Sequence, residues 1–127
     1  MNTLDFKSLL AKSEFTSKDI LYLLAKDEDY HVRGSVAQNP NISKEILEFL
    51  AKDKDSVVRV YIARNLNASK EILEILAKDE NWYIRASVAQ NPNTPKEILE
   101  ILAKDKVWNV QKISKEIICS DLQKIMA

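Results

Sequence analysis

Residues 69–94 read SKEILEILAKDENWYIRASVAQNPNT, and near copies of this 26-residue segment occupy 17–42, 43–68 and 95–120. The first and third copies agree at 17 of 26 positions. A fixed period of this length is typical of a stacked array, in which each unit buries its apolar side only against its neighbours. The sequence therefore predicts about four repeats within a single domain, 1–127.

Each copy begins with a predicted first helix. Apolar residues at helical spacing from Ile72 to Ala77, with charged residues between them, indicate an amphipathic helix of about ten residues. In the last copy the start of this helix is clearest. There Thr94, Pro95 and Glu97 fit a capping box with proline at the first helical position.

A second, shorter helix is predicted to follow at once, from Trp82 to Gln90. Asp79 is placed to cap its start. The helix is expected to end at 91–93, because proline stops a helix and the two asparagines turn the chain locally. Since no segment alternates with the period of two that is typical of a strand, we expect an all-α fold of two-helix repeats.

The two ends of the chain depart from the repeat. Residues 1–16 are predicted to form an N-terminal cap, built from the tail of a first helix that lacks its second helix. The fourth copy loses the consensus in its second helix, where Gln111 and Lys115 fit an end that no further repeat covers. Residues 121–127 are predicted to form a C-terminal cap, with Ser120 capping its last helical turns.

The composition excludes several classes of function. The 19 basic and 19 acidic side chains cancel, which argues against a dedicated nucleic-acid binder that neutralises phosphates. The single cysteine, Cys119, excludes an internal disulfide and any multi-cysteine metal or iron–sulfur site. No apolar run is long enough to span a membrane, and the start of the chain lacks the pattern of a signal peptide. We therefore predict a cytoplasmic protein without a cofactor.

In the first three copies, an aspartate in the inter-helix turn is followed six residues later by an arginine in the second helix. This regular pairing favours structural charge-assisted hydrogen bonds over a row of phosphate-binding arginines. The paired residues are Asp27 with Arg33, Asp53 with Arg59, and Asp79 with Arg85.

The motif that contains these pairs, Leu-Ala-Lys-Asp-x-x-x-x-Val/Ile-Arg, resembles the HEAT-type helical repeat. The added Val-Ala-x-Asn-Pro-Asn is more specifically similar to the leucine-rich repeat variant family, and the match covers about 17–111. The resemblance implies a right-handed α-superhelix, a solenoid of the HEAT/armadillo kind, in which such residues form a hydrogen-bonded ladder along the stack. We call these residues the Asp/Arg ladder.

The same resemblance implies three further properties. The second helix of a unit can tighten to a 3₁₀-helix, and relatives with HEAT repeats mostly bind proteins. One described type carries an iron–sulfur cluster in an added cysteine-rich segment. That cofactor does not carry over, because this sequence has no such segment.

The reactive side chains do not point to catalysis. His31 is the only histidine, and a surface or groove role is favoured over that of a catalytic base, which needs a nucleophile at defined geometry. Cys119 has only Lys115 one turn away to activate it, so a small apolar end residue is favoured over a reactive thiol. We predict that the protein is not an enzyme and binds no metal.

Aromatic residues on the second helices are the best indication of function. Tyr and Trp dominate binding hot spots, and in α-solenoids the second helices line the concave surface. For Trp82 and Trp108 two interpretations remain open, a binding surface or a seam between repeats. The candidate partner-binding residues are Tyr30, His31, Tyr61, Arg64, Trp82, Tyr83 and Trp108.

We therefore expect a non-catalytic scaffold that binds a protein or peptide on the concave face formed by the second helices. One alternative is a nucleic-acid-binding HEAT-like protein, which the neutral net charge disfavours unless Arg64, Lys112 and Lys115 form a local basic patch. Strong salt dependence of binding would identify it. The other alternative is a purely structural or assembly module with no ligand of its own.

Overall fold

The computed structural model describes residues 2–127, and this part of the chain is all-helical, as predicted. It contains nine α-helices and no strand. The second helices of the first three copies are α-helices rather than 3₁₀-helices. The helix bounds are α1 Thr3–Lys12, α2 Lys18–Leu24, α3 Tyr30–Ala37, α4 Lys44–Leu50, α5 Ser56–Arg64, α6 Lys70–Leu76, α7 Trp82–Gln90, α8 Lys96–Leu102 and α9 Trp108–Met126.

The even-numbered helices, α2, α4, α6 and α8, are each seven residues long. The predicted ten residues and the prediction that the second helix is the shorter one are therefore wrong, since α3, α5 and α7 have eight or nine residues. Three of them start alike, at Ser17, Ser43 and Ser69. In each case the serine hydroxyl oxygen accepts a hydrogen bond from the backbone N–H three residues later, at 3.3 Å. A serine at this position stabilises a helix by about 1 kcal/mol relative to alanine, so the copies begin their first helices by the same local interaction.

The start of α8 differs from the prediction. Pro95 stands at the N-cap and supplies no side-chain hydrogen bond. The buried Thr94 hydroxyl donates to Val88 O at 2.5 Å instead. The predicted capping box with Glu97 is therefore wrong, because the threonine side chain is committed to the end of the preceding helix.

The odd-numbered helices are capped two residues later than predicted. The side-chain oxygen of Asn81 accepts from Tyr83 N at 2.9 Å and caps α7. Asp29 and Asp55 cap α3 and α5 in the same way. Asp79 accepts from Asn81 N at 2.9 Å, so it fixes the turn before the helix rather than the helix itself.

Successive odd-numbered helices contact one another in chain order, from α1 to α9. Each even-numbered helix packs against the odd-numbered helices that precede and follow it. Full burial of a large apolar side chain stabilises a fold by about 1.5–3 kcal/mol, and every copy contributes such residues to one core. One column of the odd-numbered helices has no exposed surface at all: Val32, Val58, Ile84 and Val110.

The even-numbered helices expose one column of apolar residues. They bury the predicted apolar stripe, except that Ile75 is 47% exposed. The wide stripe read from the sequence therefore overestimates the buried side of the helix. The equivalent residues Leu23, Phe49 and Ile101 are also exposed.

α1 occupies the place of a second helix, which corrects the expectation that the chain starts with the tail of a first helix. It contacts α3 more extensively than α2. Lys7 stands one period before Arg33, and its ammonium donates to Asp27 Oδ2 at 2.8 Å. Apolar spacing does not separate the two kinds of helix, because both bury a stripe of similar residues.

α9 is continuous from Trp108 to Met126, so the predicted helix start at Ser120 is wrong. Ile118 stands one period after Pro92 and keeps its backbone N–H. Nothing therefore stops the helix where the earlier copies turn, and α9 packs against both α7 and α8. Neither α9 nor any other helix in the described part of the chain is long and apolar enough to cross a membrane.

Each arginine of the Asp/Arg ladder forms an ion pair with the turn aspartate of the following copy. Arg59 Nε donates to Asp79 Oδ2 at 2.8 Å, and its Nη1 donates to Asp53 O at 2.8 Å. The partner within a copy is thus a carbonyl oxygen, not the carboxylate that the spacing suggested. The other two pairs are Arg33 with Asp53 and Arg85 with Asp105, at 2.8 and 2.7 Å.

The Asp/Arg ladder extends at both ends beyond the residues predicted for it. Lys7 and Asp27 form its first ion pair, and Asp105 accepts the last one. Gln111, which stands in the arginine column of the fourth copy, keeps only the hydrogen bond to the carbonyl of Asp105. Reading the arginine and aspartate columns to the ends of the sequence finds these residues.

The three arginine–aspartate pairs of the ladder are nearly enclosed, whereas Lys7 is 39% exposed. The side chains of Arg85 and Asp105 are only 8% and 10% exposed. The hydrogen bond from Arg85 holds the pKa of Asp105 below its ordinary value, and the bond from Lys7 has the same effect on the pKa of Asp27. Removing one partner of such a pair leaves an uncompensated charge, which is why the pairs constrain the fold strongly.

Buried or half-buried asparagines form a second set of links between copies, which was not predicted from the sequence. Asn91 Nδ2 donates to Ala63 O at 2.8 Å and to Asn65 O at 3.0 Å, both in the preceding copy. Its Oδ1 accepts from Asn93 N, as expected for a local turn. We call Asn39, Asn65 and Asn91 the asparagine ladder, since Asn39 and Asn65 make the equivalent bonds to Ala11 O and Ala37 O.

Replacing Asn91 by alanine should lower the free energy of unfolding by about 2 kcal/mol or more, because buried carbonyls lose their donor. Asn93 offers a matched control two residues away, since it is exposed and makes a single side-chain bond, to Leu66 O. Asn93→Ala should cost less than about 1 kcal/mol. Urea denaturation followed by circular dichroism measures both, and equal losses would contradict a structural role for the buried amide.

Acid should weaken the fold through Asp105. Because its folded pKa is depressed, its contribution to stability is complete above the unfolded value, about 3.9, and is lost as pH falls below that value through the folded pKa. Asp105→Asn should therefore be less stable than the parent at neutral pH and lose less stability on acidification. Thermal melts across this pH range test the expectation, with exposed Asp121→Asn as the control that should keep the parental slope.

Candidate functional site

The outward sides of the odd-numbered helices carry all seven predicted partner-binding residues. The first residues of α3 and α7, directly after the N-cap, face solvent. The ladder residues of the odd-numbered helices face inward. We call the outward surface the aromatic face. It comprises Tyr30 and His31 on α3, Tyr61 and Arg64 on α5, Trp82 and Tyr83 on α7, and Trp108 on α9.

The indole rings of the aromatic face are exposed. Trp82 is 40% exposed and Trp108 is 65% exposed, so neither ring is a buried seam between copies. Lys112 Nζ lies 5.0 Å from the centroid of the Trp108 ring, within the range of a cation–π contact. Large rings at the surface therefore follow the row of helices, with Ser56 as the one break in the column.

His31 belongs to the start of its own helix. Its Nδ1 lies 3.0 Å from Asp29 Oδ1, the oxygen that also caps α3. The imidazole stacks on Tyr30 with ring centroids 4.1 Å apart. These contacts orient an exposed ring, and they supply no nucleophile for acid–base catalysis.

Arg64 joins α5 to α7 on the aromatic face. Its Nη2 donates to Tyr83 Oη at 2.6 Å, and its Cζ lies 5.5 Å from the Tyr83 ring centroid. Tyr83 in turn meets Trp82 edge to face, with centroids 5.8 Å apart. The arginine is therefore held at a defined place although its side chain is exposed.

Tyr61 lies over the only glycine of the chain. A Cβ built on Gly34 would be 3.4 Å from Tyr61 Cδ2 and 3.5 Å from Cε2. The tyrosine ring thus packs directly on the backbone of α3. The role of Gly34 in this contact was not predicted from the sequence. The sequence does indicate that this position is special, because the other copies have the larger residues Val60, Ala86 and Lys112 in place of the glycine.

Two shallow depressions adjoin each other where Tyr61 and Arg64 line both of them. One, of about 370 Å³, lies between α5 and α7 and also includes Val57 and Tyr83. The other, of about 500 Å³, lies toward the turn that follows α5 and includes Pro40 and Leu66. Both are open to solvent, which suits an extended ligand better than an enclosed small molecule.

The described residues offer no metal or covalent chemistry at this face. Among residues 2–127 there is no group of three or more His, Cys, Asp and Glu side chains that could hold a metal ion. Cys119 is exposed on α9, away from the seven residues of the aromatic face in the sequence. What the face can provide is aromatic surface, one arginine and shallow apolar depressions.

Comparison with protein-family models, curated proteins and solved structures gave no significant match.

Gly34→Ala should raise the free energy of unfolding by up to about 1 kcal/mol, because alanine favours a helix interior and its Cβ would make only ordinary contact with Tyr61. Gly34→Leu has no such room and should displace the tyrosine ring. Chemical denaturation gives the stabilities, and the NMR shifts of the Tyr61 ring protons report its position. Unchanged ring shifts in the leucine variant would show that Tyr61 does not depend on the glycine.

Proposed function

We propose that this chain is a non-catalytic scaffold of four two-helix repeats, a right-handed α-solenoid of the leucine-rich repeat variant, HEAT-like type, that binds a protein or peptide on its concave face. The aromatic face is the binding surface. The observation that carries the proposal is that Trp and Tyr rings stand exposed in the first, third and fourth copies, with the half-buried Tyr61 between them in the second, while the buried side-chain polar groups of the described residues all have partners. Such residues are the usual anchors of protein interfaces.

The repeated contacts support the proposed architecture. Each copy is tied to the next by the same arginine–carboxylate bond across 20 residues, and to the preceding one by the same asparagine–carbonyl bond across 28 residues. A chain whose neighbours always meet through identical bonds builds a regular stack. The 26-residue period and the family resemblance point the same way.

The packing of the helices supports a concave position for the aromatic face. Successive odd-numbered helices contact one another extensively, whereas successive even-numbered helices in the described chain have weak contacts at most. The layer whose members approach each other more closely lies on the inner side of a curved stack. The exposed sides of α3, α5 and α7 therefore belong to the inner surface, where a bound segment meets several helices at once.

The surface chemistry favours a protein partner. Arg64 is the one exposed Lys or Arg on α3, α5 and α7, and these helices contain no Asp or Glu. Interfaces are enriched in Tyr, Trp and Arg and depleted in Lys and Glu. Nucleic acid binding would need several cations to neutralise phosphates. The cations that the ring contacts place on this face are Arg64 at Tyr83 and, on α9, Lys112 at Trp108, so the face suits a peptide better.

Tyr83→Ala should weaken binding of a partner peptide by about thirtyfold, equivalent to about 2 kcal/mol. Binding peptides come from a phage-displayed library of short random sequences selected on the immobilised full chain, and calorimetry measures their affinity. Phe49→Ala on α4 is the matched control, since Phe49 is 48% exposed and Tyr83 is 46% exposed. It should leave the affinity unchanged.

The same pair of variants can contradict the proposal. If Phe49→Ala abolishes binding and Tyr83→Ala does not, the binding surface lies on the even-numbered helices with their exposed apolar column. Circular dichroism melts of both variants ensure that a loss of binding is not a loss of fold.

A further inference from the structure

Arg64 is an exception in its column. The equivalent residues in the neighbouring copies are the uncharged Gln38 and Gln90. Replacing a glutamine by arginine puts one positive charge in the middle of a face whose three central helices carry no other exposed Lys or Arg and no acid. The second copy therefore has a feature that the repeat itself does not require.

The guanidinium of Arg64 is held in a defined position, but no carboxylate of the described residues neutralises its charge. No carboxylate in residues 2–127 lies within ion-pair distance of it. Its one hydrogen bond within that range is the bond from Nη2 to Tyr83 Oη, at 2.6 Å. An arginine has five N–H donors, so most of them remain for a ligand, and the Tyr83 hydroxyl keeps its own proton to donate.

The residues around Arg64 come from three copies. Tyr61 packs on Gly34 of the first copy, at a distance that only a small residue there allows. Tyr83 of the third copy holds the guanidinium. Tyr61 and Arg64 line the depressions on both sides, one of which includes the 43% exposed Val57 and the other the 63% exposed Leu66. An anion at Arg64 would thus be flanked by apolar surface on either side.

We propose that Arg64, Tyr83 and Tyr61 form a recognition site for the carboxylate of an acidic residue in an extended peptide, with apolar residues next to that acid in the two depressions. This inference rests on the proposed function and names the chemistry of its partner. The carboxylate accepts hydrogen bonds from the guanidinium and from the Tyr83 hydroxyl. Charge-assisted bonds of this kind are stronger than neutral ones and select for geometry.

A carboxylate fits the site better than a phosphoryl group does. Phosphorylated motifs are usually bound by clusters of arginines, whereas one exposed cation stands on the central helices. A single guanidinium matches the single charge of an Asp or Glu side chain.

Library peptides that bind the full chain should contain an Asp or Glu with apolar neighbours. For the strongest of them, Arg64→Gln should weaken binding about tenfold or more, and so should the change of that acid to its amide. The glutamine variant reproduces the residue of the neighbouring copies. Applied together, the two changes should lose little more than either one alone, because they remove the same interaction. Lys78→Gln, which removes an exposed charge outside the face, should have no effect.

The outcomes separate this inference from the proposed function. If affinity falls with Tyr83→Ala but not with Arg64→Gln, or if the effects of Arg64→Gln and of the acid-to-amide change add fully, the carboxylate site is overturned and the binding face stands. If neither Tyr83→Ala nor Arg64→Gln changes affinity, or if the library yields no binder, both are overturned. A phosphoserine version of the peptide that binds tenfold tighter than the acidic one would also overturn the carboxylate site.

Discussion

The ion pair between an arginine of one copy and the aspartate of the next is the contact on which the rest of the molecule depends. The guanidinium of Arg59 reaches the carboxylate of Asp79 and the carbonyl of Asp53 at the same time. Asp79 also accepts the N–H of Asn81, the residue that caps α7. One buried group thus sets the spacing of two copies, the shape of the turn and the start of the next helix. A change in any one of these disturbs the others, which is why the spacing is kept through the copies.

The two ladders act at opposite ends of the odd-numbered helices. The Asp/Arg ladder holds the first turn of each helix to the turn of the following copy, and the asparagine ladder holds its last turn to the preceding copy. The described residues leave no buried side-chain polar atom without a partner. Buried polar groups are costly when unsatisfied and specify geometry when satisfied. α3, α5 and α7 are therefore each fixed at both ends, and their outward sides remain open to variation.

The sequence predicts the parts of this structure that follow from local chemistry and periodicity. The helical class follows from the spacing of apolar residues and from Asn-Pro-Asn, and the ladder residues follow from their recurrence. The sequence does not predict which of two chemically equivalent hydrogen-bond partners a side chain takes. Arg33 stands within reach of Asp27 along the chain, yet it bonds Asp53, because only tertiary packing brings the next turn nearer to its Nε. The asparagine side chains were likewise expected to turn the chain locally, which they do through Oδ1, while their Nδ2 atoms cross to another copy.

The aromatic face shows the same limit of prediction from the sequence. Tyr30, Trp82 and Trp108 were identifiable as a shared column, and Tyr61 and Arg64 as departures from the repeat. The contacts of Tyr61 and Arg64 lie between copies and have no signature in local sequence. Tyr61 packs on the small residue Gly34 in one neighbour, and Arg64 bonds Tyr83 in the other. A set of contacts that spans α3, α5 and α7 can keep its geometry only if these helices keep their register. The register is held by the Asp/Arg and asparagine ladders, none of whose side chains is part of the face. The residues that hold the stack and the residues of the aromatic face are thus separate on α3, α5 and α7, so the outward residues can change without loss of the stack, while a break in either ladder disturbs both.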